Sequence, residues 1–166
     1  MNLSLLHTKF QPVSLGNTIL ERPHLLERLD ASAASTVTLV TAPAGFGKST
    51  LISSWVDHIA GRAPTAGGTR SQICWLSLEG DDSHFPKFLL YLVASIEEKR
   101  PDSCREVREL AQARPTPAIE TLAEVLIKVL SRQEEPIVLV LDDLHRIGET
   151  AVFVFLARLI EFAPPQ

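Results

Sequence analysis

The chain has 166 residues, 45% of them hydrophobic, which is enough to bury one core and too few for two domains of ordinary size. Its 20 acidic and 16 basic side chains alternate along the sequence and leave a net charge of -4, so no basic stripe marks this segment as one that grips nucleic acid. Cys74 and Cys104 have neither the paired spacing of a zinc site nor the density of a disulfide scaffold, and no apolar run approaches the ~18 residues of a membrane span. Buried thiols and a cytoplasmic location are the default expectations.

In chain order, residues 37–41 (VTLVT) form a short β-branched run that ends in a loop containing proline and glycine. Leu51, Ile52, Trp55, Val56 and Ile59 then recur at helical period, so the reading is strand, loop, helix. Gly61 and Pro64 end that helix, and residues 65–71 read as an exposed loop. A second strand is predicted over 73–78 (ICWLSL), and a turn at 79–83 supplies carboxylate and hydroxyl groups able to cap the helix that follows. Phe85, Phe88, Leu89, Leu92, Val93 and Ile96 share one face of that helix, which Lys99, Arg100 and Pro101 close.

A weaker helix over 106–113 and a better one over 119–130 are divided by Pro115 and Pro117, which cannot continue a helical ladder. Residues 137–141 (IVLVL) are five consecutive apolar residues, the pattern of a strand covered on both faces in a parallel sheet. Residues 151–162 mix strand-like composition with helical spacing at Val152, Phe155, Leu156, Leu159 and Ile160, and are read as a helix. Strands alternating with helices define an α/β fold with a parallel sheet flanked by helices.

Two motifs carry chemistry. Ala42, Pro43, Ala44, Gly45, Phe46, Gly47, Lys48, Ser49 and Thr50 sit between the first strand and the first helix, where a loop can wrap a phosphate chain against a helix N-terminus. Gly45 and Gly47 let successive N–H groups face anionic oxygens, Lys48 reaches the β- and γ-phosphates, and Ser49 is a Mg2+ ligand. Alanine at position 42, where the strict pattern has glycine, makes this a relaxed form of the motif.

The second motif is the apolar strand ending in Asp142 and Asp143, because strands of such sheets deliver carboxylates at their C-terminal edge. Asp142 is the second expected Mg2+ ligand. Asp143 stands where many ATPases place a glutamate that activates water, and its shorter side chain predicts slow hydrolysis. His145 is read first as a local hydrogen-bonding group.

Together with their flanks these residues resemble the ATPase domain of the large LuxR-family transcription activators related to the maltose activator, among the signal-transduction ATPases with numerous domains. The likeness runs over residues 5–10, 22–29, 42–50, 75–82 with Phe88, and 139–145. It implies a P-loop NTPase fold, here an incomplete domain, with residues 1–30 flanking the nucleotide and 31–166 forming the NTPase domain. It implies that residues 19–23 lie against base and ribose, with Arg22 a nucleotide contact, whereas Asp82 is read first as a helix cap.

The resemblance further implies an ATP/ADP switch that uses Mg2+, self-associates when ATP-bound, and leaves DNA contact to another part of the protein. In that family the strand after Asp143 ends in a γ-phosphate-sensing arginine and lies between the two motif strands. The present sequence stops before it, so either the chain folds poorly alone or the two motif strands pair directly. The competing expectation is a free-standing small P-loop ATPase or kinase, with Arg105, Arg108 and Arg114 as lid arginines, although their spacing suits a solvated helix face.

Overall fold

A computed structural model describes residues 6–14, 16, 22–32, 35–61 and 71–163. Length alone suggested one compact unit, but the contacts divide the chain into two, residues 1–11 with 70–165 and residues 12–69. The loop expected at 65–71 falls outside the described residues except for Ser71, and so do positions 19–21 of the expected nucleotide flank.

The larger unit is built on two parallel strands, β1 (Gln72–Ser77) and β2 (Ile137–Asp142), in register from Gln72 opposite Ile137 to Ser77 opposite Asp142. Parallel strands need a long crossover. Here it consists of α3 (Phe85–Glu97), α4 (Arg105–Gln112) and α5 (Ile119–Ser131), and α6 (Thr150–Glu161) follows β2. The helices agree with the sequence reading within a residue or so, including the choice of helix over strand for α6.

The predicted apolar face of α3 is the centre of the core. Phe85, Phe88, Leu89, Leu92, Val93 and Ile96 are all buried, against Leu76 and Leu78 of the first strand region and Phe155 of α6. Each such side chain contributes about 1.5–3 kcal/mol of burial, so this helix alone supplies much of the apolar driving force of the unit. Both cysteines are buried, as expected, and burial pushes the Cys74 thiol up to about 12 and that of Cys104 up to about 11.

Two expectations fail at the sheet. Residues 37–41 are not a strand, and Leu39 is 78% exposed. A strand exists only through its ladder, and β1 and β2 pair with each other and with no third strand among the described residues. Nor do the two motif strands pair directly. β2, expected to be covered on both faces, is half-buried at all six positions, as befits a strand with a single described neighbour.

The smaller unit contains α1 (Pro23–Ser32) and α2 (Lys48–Gly61), which pack through Leu29, Trp55 and Val56. α2 was expected, whereas α1 was not read from the sequence. Pro23 at its first position is preorganised for a helix start, and Leu25, Leu26 and Leu29 give it one apolar side.

Candidate functional site

The residues singled out by sequence fall into two groups, one in each unit. In the smaller unit, the loop at 42–50 takes its shape from two glycines. Gly45 and Gly47 have φ of +80° and +77°, in the left-handed region that L side chains enter only at a cost. The Phe46 N–H donates to the Pro43 carbonyl at 3.4 Å to close a turn between them.

α2 then begins at Lys48, and the N–H of Leu51 makes the first helical bond, to the Gly47 carbonyl at 2.9 Å. The N–H groups of the first turn stand ahead of that ladder, at the positive end of the helix dipole. Lys48 Nζ donates back to the carbonyls of Ala42 at 3.0 Å and Pro43 at 3.2 Å, so the ammonium stays over the loop instead of extending into solvent. An ammonium, a hydroxyl at Ser49 and a helix N-terminus in one exposed loop form a donor set that fits a polyphosphate.

Arg22 belongs to the same group. Its Nη1 donates to the carbonyl of Phe46 at 3.3 Å, which places the residue before α1 against the apex of the loop. Further along, the Trp55 indole N–H donates to Asp30 at 2.9 Å, and His58 Nε2 lies 3.6 Å from the other carboxylate oxygen.

In the larger unit, β2 delivers Asp142 to the end of the sheet, where its carbonyl accepts the Leu78 N–H at 3.0 Å. The Asp142 side chain accepts the Asp143 N–H at 3.0 Å, and Asp143 itself takes a left-handed φ of 57°. Asp tolerates that conformation better than most residues. Arg146 Nε lies 3.3 Å and His145 Nδ1 3.8 Å from the Asp143 carboxylate, so His145 stands beside Asp143 at more than hydrogen-bond distance.

The turns after β1 and β2 are laced together. Ser83 Oγ accepts the Gly148 N–H at 3.0 Å, and Glu149 accepts the Phe85 N–H at 3.2 Å. Asp82, read as a helix cap, caps the short 3-10 turn ahead of α3 in a capping box with Glu79, and not α3 itself. Its carboxylate accepts the Glu79 N–H within a short 3-10 turn at Gly80–Ser83, and Glu149, from 64 positions away, reaches the α3 N-terminus instead. The reason is burial: Asp82 is completely enclosed and is taken up by Lys9 Nζ at 2.5 Å and Lys87 Nζ at 3.1 Å. Sequence reasoning gave no role to Glu149, placed Lys9 only within the family likeness at 5–10, and offered Ser83 only as a cap.

The three arginines considered for a lid make local contacts, Arg114 with the Ala113 carbonyl at 3.4 Å and Thr116 Oγ1 at 3.3 Å. Arg105 pairs with Glu109 at 2.8 Å, and Arg108 pairs with Glu97 and lies 3.6 Å from Asp102. The open hollow lined by His7, Phe10, Ala94, Glu97, Glu98 and Pro101 contains none of the candidate residues.

Comparison with known proteins gives the family. The AAA ATPase domain family matches residues 21–165, and the chain belongs to that family. It is also similar to the HTH-type transcriptional regulators MalT of Yersinia pestis (strain Pestoides F) and Yersinia pseudotuberculosis serotype O:1b, 32% identical over 154 residues in each case. MalT of Yersinia enterocolitica serotype O:8 has the same identity over the same length. These alignments cover 93% of the chain but 16% of each relative, so the chain spans about a sixth of the proteins it matches. The resemblance to activators of the maltose type therefore holds, at the level of their ATPase region. No helix among the described residues is long and apolar enough to cross a membrane.

Proposed function

We propose that this chain is the ATP- and ADP-binding regulatory module of a LuxR-type transcription activator. The observation that carries the reading is the loop at 42–50, with two left-handed glycines leading into the N-terminus of α2 and Lys48 folded over it. Ala42 to Thr50 hold the phosphates through backbone N–H groups and the Lys48 ammonium, and Arg22 completes the nucleotide site from α1. Ser49 of the smaller unit and Asp142 of the larger are the residues that would hold Mg2+, and the ion would neutralise charge on the phosphate oxygens. Asp143 orients and deprotonates the attacking water, and hydrolysis is slow because an aspartate stands where a glutamate is common.

In domain terms, residues 1–30 flank the nucleotide and residues 31–166 form the nucleotide-binding domain. The relatives are named as transcriptional regulators of the HTH type, which supports a regulatory role with DNA contact left to a separate region; the proposal adds a cytoplasmic location and self-association in the ATP state. A free-standing kinase is disfavoured because Arg105 and Arg108 are committed to ion pairs. Titration calorimetry with ATP and with ADP tests the reading. Lys48→Ala is expected to weaken both by at least about tenfold, and unchanged affinity sinks the assignment.

A further inference from the structure

We infer that Arg22 and Asp30 form a two-point brace that sets the shape of the phosphate loop, Arg22 by holding the Phe46 carbonyl and Asp30 by holding the helix that carries Arg22. The inference rests on the nucleotide site proposed above and assigns Arg22 to the loop instead of the base.

The argument starts from the peptide plane. In a trans peptide the C=O and the following N–H point in opposite directions. The Phe46 carbonyl is bonded to Arg22 Nη1 at 3.3 Å, so the N–H of Gly47 is turned to the opposite side. That N–H belongs to a residue at φ +77°, immediately before the first turn of α2. Because glycine on both sides of Phe46 leaves this plane free to rotate, something outside the loop must fix it, and Arg22 is placed to do so.

Arg22 is exposed and cannot fix anything unless α1 is itself fixed. The second contact supplies this. Asp30, about two turns along α1, accepts the indole N–H of Trp55 at 2.9 Å, and Trp55 lies about two turns along α2. Contacts at both ends mean that the two helices run side by side in the same direction with their N-termini at the loop. Trp55 is buried and hydrogen bonds to a carboxylate are the stronger kind, so the distal contact is the anchor. His58 Nε2, 3.6 Å from the other Asp30 oxygen, lies on the same side.

The test uses the whole chain and two probes, ATP and inorganic tripolyphosphate, the second having phosphates and no base. Arg22→Ala and Asp30→Ala are each expected to raise Kd roughly three- to tenfold for both probes, and the double substitution is expected to do no more than the larger single one. Asp30→Asn, which keeps an acceptor for Trp55, restores binding. Trp55→Phe, which keeps the ring in the apolar contact and removes the N–H, repeats the Asp30→Ala effect should that variant fail to fold.

Loss of ATP affinity with tripolyphosphate binding intact makes Arg22 a base or ribose contact and overturns the brace. So do additive effects, or affinities unchanged in Asp30→Ala and Trp55→Phe. Unchanged binding in Lys48→Ala, by contrast, removes the nucleotide site itself.

Discussion

Lys9 and Asp82 meet 73 positions apart in the sequence as an ion pair with almost no exposure on either side chain, at 2.5 Å. Lys9 also lies 4.9 Å from the ring centre of Tyr91, and Glu79 lies 2.9 Å from the same ammonium. The pair pins the short 3-10 turn at His7–Phe10 to the loop after β1. A buried pair of this kind adds little net stability over apolar residues, but removing one partner strands the other.

Lys9→Met is therefore expected to destabilise the larger unit by about 3 kcal/mol, because Asp82 stays buried with Lys87 as its one remaining cation and the Glu79 N–H as a neutral donor. The midpoint of urea unfolding reads this directly. Lys9→Met with Asp82→Leu is expected to recover a good part of the loss, and a single variant as stable as the parent would show that the pair is not held closed in solution.

The same pair sets a pH dependence. Burial alone would push the Asp82 carboxyl up, but hydrogen bonds from Lys9, the Glu79 N–H and Lys87 outweigh it and hold the group below 3.8. Burial works to lower Lys9 as well, and its bonds to Asp82 and Glu79 outweigh it, so Lys9 stays above 10.5. A depressed carboxyl stabilises above its unfolded value and loses that contribution as pH falls through its folded value. A raised ammonium stabilises fully below its unfolded value and loses that contribution as pH rises through its folded one. The pair's contribution is thus flat from about pH 4 to about pH 10 and falls away on both sides. Unfolding free energies measured down the acid limb should drop less steeply in Asp82→Asn than in the parent.

Gly47→Ala places a Cβ at φ +77° with only Thr50 Cβ nearby, at 4.0 Å, so the cost is conformational and not steric crowding. About 1–2 kcal/mol of strain is expected, relieved by a change of loop shape. The measurable outcome is a loss of tripolyphosphate affinity in calorimetry that exceeds the loss of thermal stability. Equal, small changes in both would mean that the loop does not need this conformation.

Asp143→Asn isolates charge from shape, because asparagine tolerates the left-handed φ of 57° as well as aspartate does. On the proposed role of Asp143 in water activation, any phosphate release from ATP should fall at least about tenfold while ATP affinity, read by calorimetry, stays within about twofold. Parallel loss of both would place Asp143 in binding and not in water activation.

How much of this was legible in the sequence depends on the range of the interactions involved. α3 and α5 announced themselves because periodicity is local and their apolar faces do end up buried. The phosphate loop was legible because glycines, lysine and the helix that follows are contiguous. The stretch at 37–41 misled because β-branched composition reports willingness to pair and not the presence of a neighbour. Asp82 was legible as a cap, which it is for the 3-10 turn, but only the fold brings Lys9 to it. α1 was missed although Pro23 marks a helix start and Leu25, Leu26 and Leu29 carry the spacing.

The parallel pairing of β1 with β2 has a consequence for how the chain is made. Gln72 and Glu135, which flank the start of that pairing, are 63 positions apart. At roughly 5–20 residues per second of synthesis, β1 leaves the ribosome several seconds before its neighbour exists. During that interval Cys74, Trp75 and Leu76, buried in the finished unit, have chiefly the turn at His7–Phe10 and α3 to shelter them. The newborn chain then carries an unpaired apolar strand, the state in which it is most open to aggregation or to capture by a chaperone.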